Sequence, residues 1–553
     1  MESQRGLLFV ALLVVSYLLF NQWQMDNAPV QAIEEVTTNS TVNNINNDDE
    51  FVPAGNNAEQ VVNQAATSGG LITISSDVLE LTVDTQGGDI VTAKLLTYET
   101  QQGSGIAMPI LTTEGYTFVA QSGLIGAQGP DGNPAGRPIY SVSSDTLTLA
   151  EGSEQLVVTL SLVQNNITYL KIFTLNAGNY DVAVDYRIIN NSTTNASVQL
   201  YAQLKQSVNI DDDSSMMMPT YRGAAYSTTE DRYEKYDFGD IEDANLTQAT
   251  TGGWVGMLQH YFVTAWVPNK DDTNQLYTRY LANNGEAVIG FKAPVLTIEA
   301  GSEQTASATF YVGPKDQDKL EKIADGLDLT VDYGFLWMIS QPLFALLIFI
   351  QSIVINWGLA IICITIFVKT LMYPLTKTQY TSMAKMRKIQ PKIAALKERH
   401  GSDRQKMSQS MMELYKKEKV NPAGGCFPLL LQMPIFLALY WVFMESVELR
   451  HAEFGLWITD LSSKDPYFIL PILMGASMLV MQKLQPAMTQ DPMQQKMMQW
   501  MPVFFTFFFL WFPSGLVLYW CVSNIITIVQ MLIIFRGIDK AEAKAKEKEK
   551  AKA

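Results

Sequence analysis

The chain has 553 residues, 47% hydrophobic and 17% charged, with a formal charge of −16 and only three histidines and three cysteines; the length implies several domains, and the His and Cys counts argue against a histidine-based metal centre or a disulfide framework. The averages conceal two halves: residues 22–335 hold 40 acidic and 14 basic side chains, net −26, whereas residues 336–553 hold 14 acidic and 24 basic, net +10. Asymmetry of this size implies different surroundings, with the basic half near anionic lipid or nucleic acid.

In chain order, an apolar run over 6–20 follows a lone Arg5, a length that suits a signal-peptide core or a short anchor. Ala28-Pro-Val-Gln-Ala32 is a poor cleavage site, so residues 1–22 are read as an uncleaved transmembrane anchor with a cytoplasmic N-terminus. Residues 23–70, rich in Asn, Thr, Ser and Gln, read as a flexible tether. Over 71–330 strand signals dominate. Val182, Val184, Tyr186 and Ile188 alternate with Asp181, Ala183, Asp185 and Arg187, the period of a half-buried antiparallel strand. Similar runs at 71–75, 79–83, 156–162, 197–204 and 306–312 are separated by clusters such as Gln86-Gly-Gly-Asp89 and Asn176-Ala-Gly-Asn179. The pattern predicts a large β-sandwich, with a short helix over 317–327 leading to the second half. The run Asp211-Asp212-Asp213 reads as a solvated face, and no Gly-rich phosphate loop or nucleophile elbow appears. Neither an enzyme nor a cofactor is expected.

Residues 333–350 are apolar but interrupted by Ser340-Gln341-Pro342. Counting them as a crossing would place the basic tail outside. They are therefore read as a helix in the outer interface, which suits Tyr333 and Trp337. Spans are predicted at 352–372, 425–444 and 467–482. The stretch 501–535 exceeds one crossing of ~20 residues and is divided by Pro513-Ser514-Gly515 into spans 501–513 and 515–535. With the anchor this makes six transmembrane helices. Residues 373–422 carry 12 bases and 4 acids, the 445–465 loop 2 bases and 5 acids, and the tail 536–553 7 bases and 4 acids. Lys/Arg enrichment marks cytoplasmic loops, so 373–422, the 483–500 loop and both termini are inside, and the acidic domain is outside.

Within 373–422, Met383, Met386, Ile393 and Leu396 form one apolar stripe and Met407, Met411 and Leu414 another. Gly401-Ser-Asp403 supplies a turn and cap, giving a helical hairpin. Such Met-rich stripes pack two helices together and also suit varied apolar partners. Lys369 stands inside the second span, where a charge costs roughly 2.5–3.5 kcal/mol at the bilayer centre. Either it snorkels to the inner headgroups, or it faces a polar cavity shared with Thr365, Gln432, Ser523, Asn524 and Thr527.

Three segments carry a family resemblance: Tyr373-Pro-Leu-Thr-Lys377, Asn421-Pro-Ala-Gly-Gly-Cys426-Phe-Pro-Leu-Leu-Leu-Gln432-Met-Pro434, and Leu510-Trp-Phe-Pro-Ser-Gly-Leu516. Over 333–536 the chain resembles the YidC family of membrane protein insertases, and the exported domain is similar to that of its Gram-negative members. The resemblance implies an all-β periplasmic supersandwich related to sugar-mutarotase folds, joined to a helical inner-membrane bundle with five core helices and a cytoplasmic hairpin. It implies insertion of nascent membrane proteins, alone or beside the Sec translocon and its accessory subunits, amid inner-membrane lipids, with ribosome contact through the basic tail. It implies a hydrophilic groove containing Lys369, Thr365, Gln432, Trp520 and Asn524, and a substrate-receiving hairpin surface containing Met383, Met386, Met407 and Met411. The family usually has Arg where this chain has Lys369, which keeps the charge and loses the bidentate fork.

Two other readings compete. A transporter using the same groove predicts paired intramembrane charges or repeated halves, and neither is evident. An exported carbohydrate-binding domain merely anchored by the membrane half predicts that the sandwich carries the function.

Overall fold

The computed structural model describes residues 51–54, 70–132, 136–144, 146–210, 220–400, 404–418, 427–484 and 492–550. The expected anchor, most of the tether, the aspartates at 211–213, the 401–403 turn and residues 421–426 lie outside them.

Among the described residues, 18 strands form a ten-stranded and an eight-stranded sheet. The larger runs from Thr247–Thr251 through Thr273–Leu281, Glu286–Ile298, Ala196–Ser207, Phe118–Ile125, Asp89–Glu99, Leu79–Asp84 and Leu71–Ser75 to Thr146–Thr148, and Ala107–Leu111 also pairs with Asp89–Glu99. The smaller contains Asp181–Asn190 between Ile167–Asn176 and Glu303–Pro314. The predicted runs at 71–75, 79–83, 156–162, 197–204 and 306–312 all fall on strands. In Asp181–Asn190 the residues Val182, Val184, Tyr186 and Ile188 are buried in the same core as Trp254, Trp266 and Phe310, which is why its period-two pattern is readable.

Phe118–Ile125 is buried at all eight positions and shows no alternation. One reason is a charged cluster against it. Arg137 pairs with Asp89 and, through Nε, with Asp131 at 3.0 Å, while Asp131 accepts from the Leu124 amide at 2.8 Å. Lys171 Nζ donates to the Gly87 and Ser122 carbonyls, each at 3.1 Å, and lies over the Phe173 and Tyr186 rings. Buried charges persist only when paired and hydrogen-bonded: Arg137 is paired with Asp89 and Asp131, and Lys171 beside them is held by backbone carbonyls.

The predicted 317–327 helix is two pieces, Gln317–Ile323 and the 3-10 turn Leu327–Thr330, separated by Gly326 at φ +79°. A Cβ there would lie 2.2 Å from the Arg232 carbonyl oxygen, so glycine is required.

Among the described residues the helices are α1 (Phe238–Asp243), α2 (Gln317–Ile323), α3 (Trp337–Val354), α4 (Trp357–Leu371), α5 (Tyr373–His400), α6 (Arg404–Lys417), α7 (Phe427–Glu445), α8 (Ile469–Leu484), α9 (Pro492–Phe508) and α10 (Ser514–Lys550). Three boundaries depart from expectation. Ser352, Ile353 and Val354 complete α3 instead of opening the next span. Ile355 turns left-handed at φ +56°, and Asn356 caps α4 by accepting from the Leu359 amide at 2.9 Å. The predicted 483–500 loop is helical from Pro492, a residue preorganised for a first helical turn. The tail continues α10 to Lys550, because its Ala, Lys and Glu are strong helix formers.

By length and composition, Gly334–Val354 is apolar enough to cross a membrane, as is Ser514–Ala541; the first was expected to lie in the interface. By contrast, α4 has 15 residues, about 22 Å, and bends by 63° into α5.

Several membrane-half segments contact the β domain or one another at one end. Arg450 Nη2 donates to the Glu99 carbonyl at 2.6 Å, and Gln102 Nε2 to the Thr459 carbonyl at 2.6 Å. Gln317 donates to the Tyr333 hydroxyl at 2.6 Å, just before α3. At the far end of α3, Asn356 Nδ2 reaches the Glu453 and Phe454 carbonyls at 3.2 Å. The Ser514 amide donates to the Ser463 carbonyl at 2.7 Å, tying the start of α10 to the same 445–465 segment.

Candidate functional site

Lys369 sits on the last turn of α4 and is 7% exposed. Its Nζ donates to Thr527 Oγ1 on α10 at 3.1 Å, and its carbonyl accepts from Gln530 Nε2 at 3.0 Å. Among the described residues no carboxylate lies within 4 Å of this ammonium. Thr527 passes its own hydrogen to the Ser523 carbonyl at 2.7 Å, and Ser523 and Gln530 are buried on the same helix. Gln530 Oε1 is buried without a partner. Positions 523, 527 and 530 are spaced four and three apart and so share one face of α10, which is how a helix that is otherwise apolar presents a polar strip to Lys369.

Of the residues expected to line one groove, Thr365 is buried one turn before Lys369, with its hydroxyl donated to the Ile361 carbonyl at 2.6 Å. Such back-bonding satisfies the hydroxyl within its own helix. Asn524 is turned to α8, donating to Ser477 Oγ at 3.0 Å, so it is not among the contacts of Lys369. Gln530, which sequence reasoning missed, takes that place; a polar residue seven positions after Ser523 was the available signal. Trp520 stacks on Phe436 of α7 at 5.1 Å between centroids and meets Phe509 edge-on at 3.9 Å. With Phe512 and Tyr519 it forms an aromatic layer. Gln432 is half-buried one turn along α7 from Phe436.

The layer and the polar strip occupy different depths. Trp520 is about 9 Å and Thr527 about 20 Å along α10 from Ser514, at 1.5 Å per residue. The aromatic layer lies toward the end near the 445–465 segment, and the polar groups lie beyond it. Where α4 bends into α5, Leu371, Met372, Pro374, Leu375 and Thr378 line a shallow, open surface depression.

Helices α5 and α6 pack through Ile389 and Ile393 against Met386, Met411, Leu414 and Tyr415, and Lys392 pairs with Glu418 at 2.6 Å. Met383 is 3% exposed, sealed with Tyr380 against Met531 and Ile534 of α10. It therefore anchors α5 to the bundle and offers no surface to a partner. Met407 is half-buried on α6.

Residues 71–346 match the family profile of the YidC periplasmic domain, and residues 349–542 that of the 60Kd inner membrane protein. A protein of Actinobacillus pleuropneumoniae serotype 7 named membrane protein insertase YidC is 54% identical over 541 residues, covering 98% of each chain. One of the same name from Aeromonas salmonicida is 53% identical over 550 residues, covering 98% of this chain and 99% of the relative. A crystal structure of an active YidC insertase is 19% identical, with a TM-score of 0.37, over 85% of this chain and 93% of that one.

Proposed function

This chain belongs to the YidC family of membrane protein insertases, and from that premise we propose that it inserts nascent membrane proteins along a groove whose cation is Lys369. The observation that carries the reading is a nearly buried ammonium that no described carboxylate neutralises, held by the Thr527 hydroxyl of α10, with Gln530 of the same helix bonded to the Lys369 backbone carbonyl. A substrate tail bearing Asp or Glu would supply the missing negative charge. At an effective dielectric of about 20, opposite charges 4 Å apart attract by about 4 kcal/mol, an upper figure for that recruitment. A water-filled half-groove shortens the apolar path the tail must cross. The shortness of α4 and its bend into α5 support a thinned barrier on that side, and the aromatic layer around Trp520 supports closure on the other. Nothing in this mechanism needs covalent chemistry or a cofactor.

Topology follows the same premise. The β domain, the 445–465 segment, the start of α10 and both ends of α3 are joined by hydrogen bonds, which supports placing all of them on the periplasmic side. On this reading α3 lies in the outer interface although its length would permit a crossing. The basic 373–422 hairpin, the 483–500 loop and both termini are then cytoplasmic, and six helices cross the inner membrane. Met386, Met407 and Met411 remain candidates for receiving substrate on the hairpin. The Sec translocon and its accessory subunits, the ribosome and inner-membrane lipids are the proposed partners.

The test compares Lys369→Glu and Lys369→Met in cells depleted of the native insertase, using single-span substrates with acidic or neutral exported tails. Insertion is read by protease accessibility of the tail. The glutamate variant should block acidic-tailed substrates, the methionine variant should slow them, and both should spare neutral tails. Normal insertion of acidic tails by Lys369→Glu would sink the mechanism.

A further inference from the structure

Between the β domain and the outer end of the helical half lies a second cavity, of about 180 Å³, the liquid volume of about six waters. Its charged lining comes from both parts of the chain: Lys235, Lys315 and His260 from the β domain, Asp332 from the connection to α3, and Glu445 from the end of α7. Lys235 pairs with Asp332 and lies 4.6 Å from the Tyr221 ring centroid. His260 donates from Nε2 to the Met444 carbonyl at 2.9 Å. Burial pushes its pKa down to about 4, so it brings no charge.

Lys315 is different. It is 5% exposed, yet among the described residues no carboxylate approaches its ammonium within 4 Å. Its charge interacts at longer range with Glu445, Lys235 and Asp332. A buried ammonium without a hydrogen-bonded counter-charge is costly, and this one faces a cavity. With Lys235 already paired to Asp332, Lys315 is the lysine of the lining left without a close carboxylate among the described residues, and the cavity leaves room for a negatively charged group beside it.

The cavity's rim identifies the source. Gly334 lines it, and the residues that follow at the start of α3, Phe335, Trp337 and Met338, are 81%, 54% and 70% exposed. Trp441 lines the cavity from the outer end of α7. An apolar, indole-bearing rim beside an interior that holds both lysines and carboxylates suits a lipid with its headgroup inside and its chains along α3, since Trp favours the headgroup level. A soluble anion has no use for such a rim.

We propose that this cavity is a phosphate site filled by the headgroup of an outer-leaflet phospholipid, with Lys315 toward the phosphate, the Lys235–Asp332 pair beside it, and Glu445 toward an ammonium where the headgroup has one. The lipid would thereby join the β domain to α3 and α7. The proposal rests on the topology given above, but not on the groove at Lys369, and its test is a binding measurement that needs no insertion activity.

The full-length protein, purified in detergent and stripped of lipid, is exposed to dioleoyl phosphatidylethanolamine, dioleoyl phosphatidylglycerol or dioleoylglycerol, and bound molecules are counted by native mass spectrometry. Both phospholipids should bind and the phosphate-free dioleoylglycerol should not. Loss of one charge-assisted contact predicts about tenfold weaker retention in Lys315→Met, with retention preserved in Lys315→Arg and in the exposed control Lys270→Met. Should Lys315→Met fail to fold, Lys315→Gln replaces it. Inorganic phosphate alone is the second arm. If it displaces the lipid and raises the melting temperature only when Lys315 is present, the phosphate chemistry stands and the lipid source falls. Equal phospholipid retention by wild type and the uncharged Lys315 variant overturns the proposal.

Discussion

Replacing Arg137 with methionine is expected to cost the β domain about 3–5 kcal/mol, the usual penalty for removing one side of a buried ion pair. The Arg137 side chain is fully buried and pairs with both Asp89 and Asp131. Its Nη2 also donates to the Ser122 carbonyl at 3.1 Å. Methionine fills much of the same volume, so the loss is electrostatic and not a cavity. The two carboxylates would keep neutral donors, the Gln121 amide for Asp89 and the Leu124 amide for Asp131, and as a nearby cation only Lys171, whose Nζ is engaged by the Gly87 and Ser122 carbonyls. The control is Arg187→Met, which breaks a two-pronged pair with Glu303 whose side chains are 46% and 51% exposed; exposed pairs are worth about 0–1 kcal/mol. With a urea dependence of about 2 kcal/mol per molar, the midpoint should fall by roughly 2 M for Arg137→Met and by less than about 0.5 M for the control. Pulse proteolysis of the full chain across a urea series, following the intact β-domain fragment, measures both. Equal shifts in the two variants would refute the view that these charges are held unhydrated in the core.

The same domain should gain stability as pH rises from 7 to 9. Burial lowers Lys171 to about 7 and Lys315 to about 8, so above those values the native state binds fewer protons than the unfolded chain, whose lysines titrate near 10.4. Each group then contributes up to about 1.4 kcal/mol per pH unit, and a urea midpoint flat between pH 7 and 9 would contradict it. Below neutrality His260, lowered to about 4, has the same sign: its contribution is full above about 6.5 and is lost as pH falls toward 4. In the helical half, a Cβ on Gly475 of α8 would lie 1.8 Å from Thr506 Oγ1 on α9. Gly475→Val should overpack that contact by about 1–3 kcal/mol and lower the melting temperature in detergent, whereas Gly475→Ala combined with Thr506→Ala should restore it.

Some site residues were legible early for a definite reason. Lys369 stands out because one charge in an apolar run is conspicuous along the chain, and Trp520 because a family motif lies just before it. Their surroundings were legible only in part: Thr527 and Ser523 were expected beside Lys369, whereas Gln530 and the turning away of Asn524 were not. Lys369 meets Thr527 across 158 positions, and Asn524, equally polar and one turn before, rotates to Ser477. Hydropathy reports that a residue is polar, whereas the helix rotation that selects its neighbour is set by packing around the whole bundle. Met383 was misjudged in the same way: the stripe it belongs to is real, but α10 rather than a partner covers its end.

Charge balance, span length and period-two alternation are sums over neighbouring residues, and from the sequence alone they determined that an acidic β domain is joined to a basic, lipid-compatible helical half. Tertiary structure decided what those sums cannot hold. It gathered Asp89, Asp131, Arg137 and Lys171 into one buried cluster, put the break between α3 and α4 at Ile355, and left Lys315 beside Glu445 in a shared cavity. Each of these depends on close packing of residues far apart in the chain, where a few ångströms decide which charge has a partner.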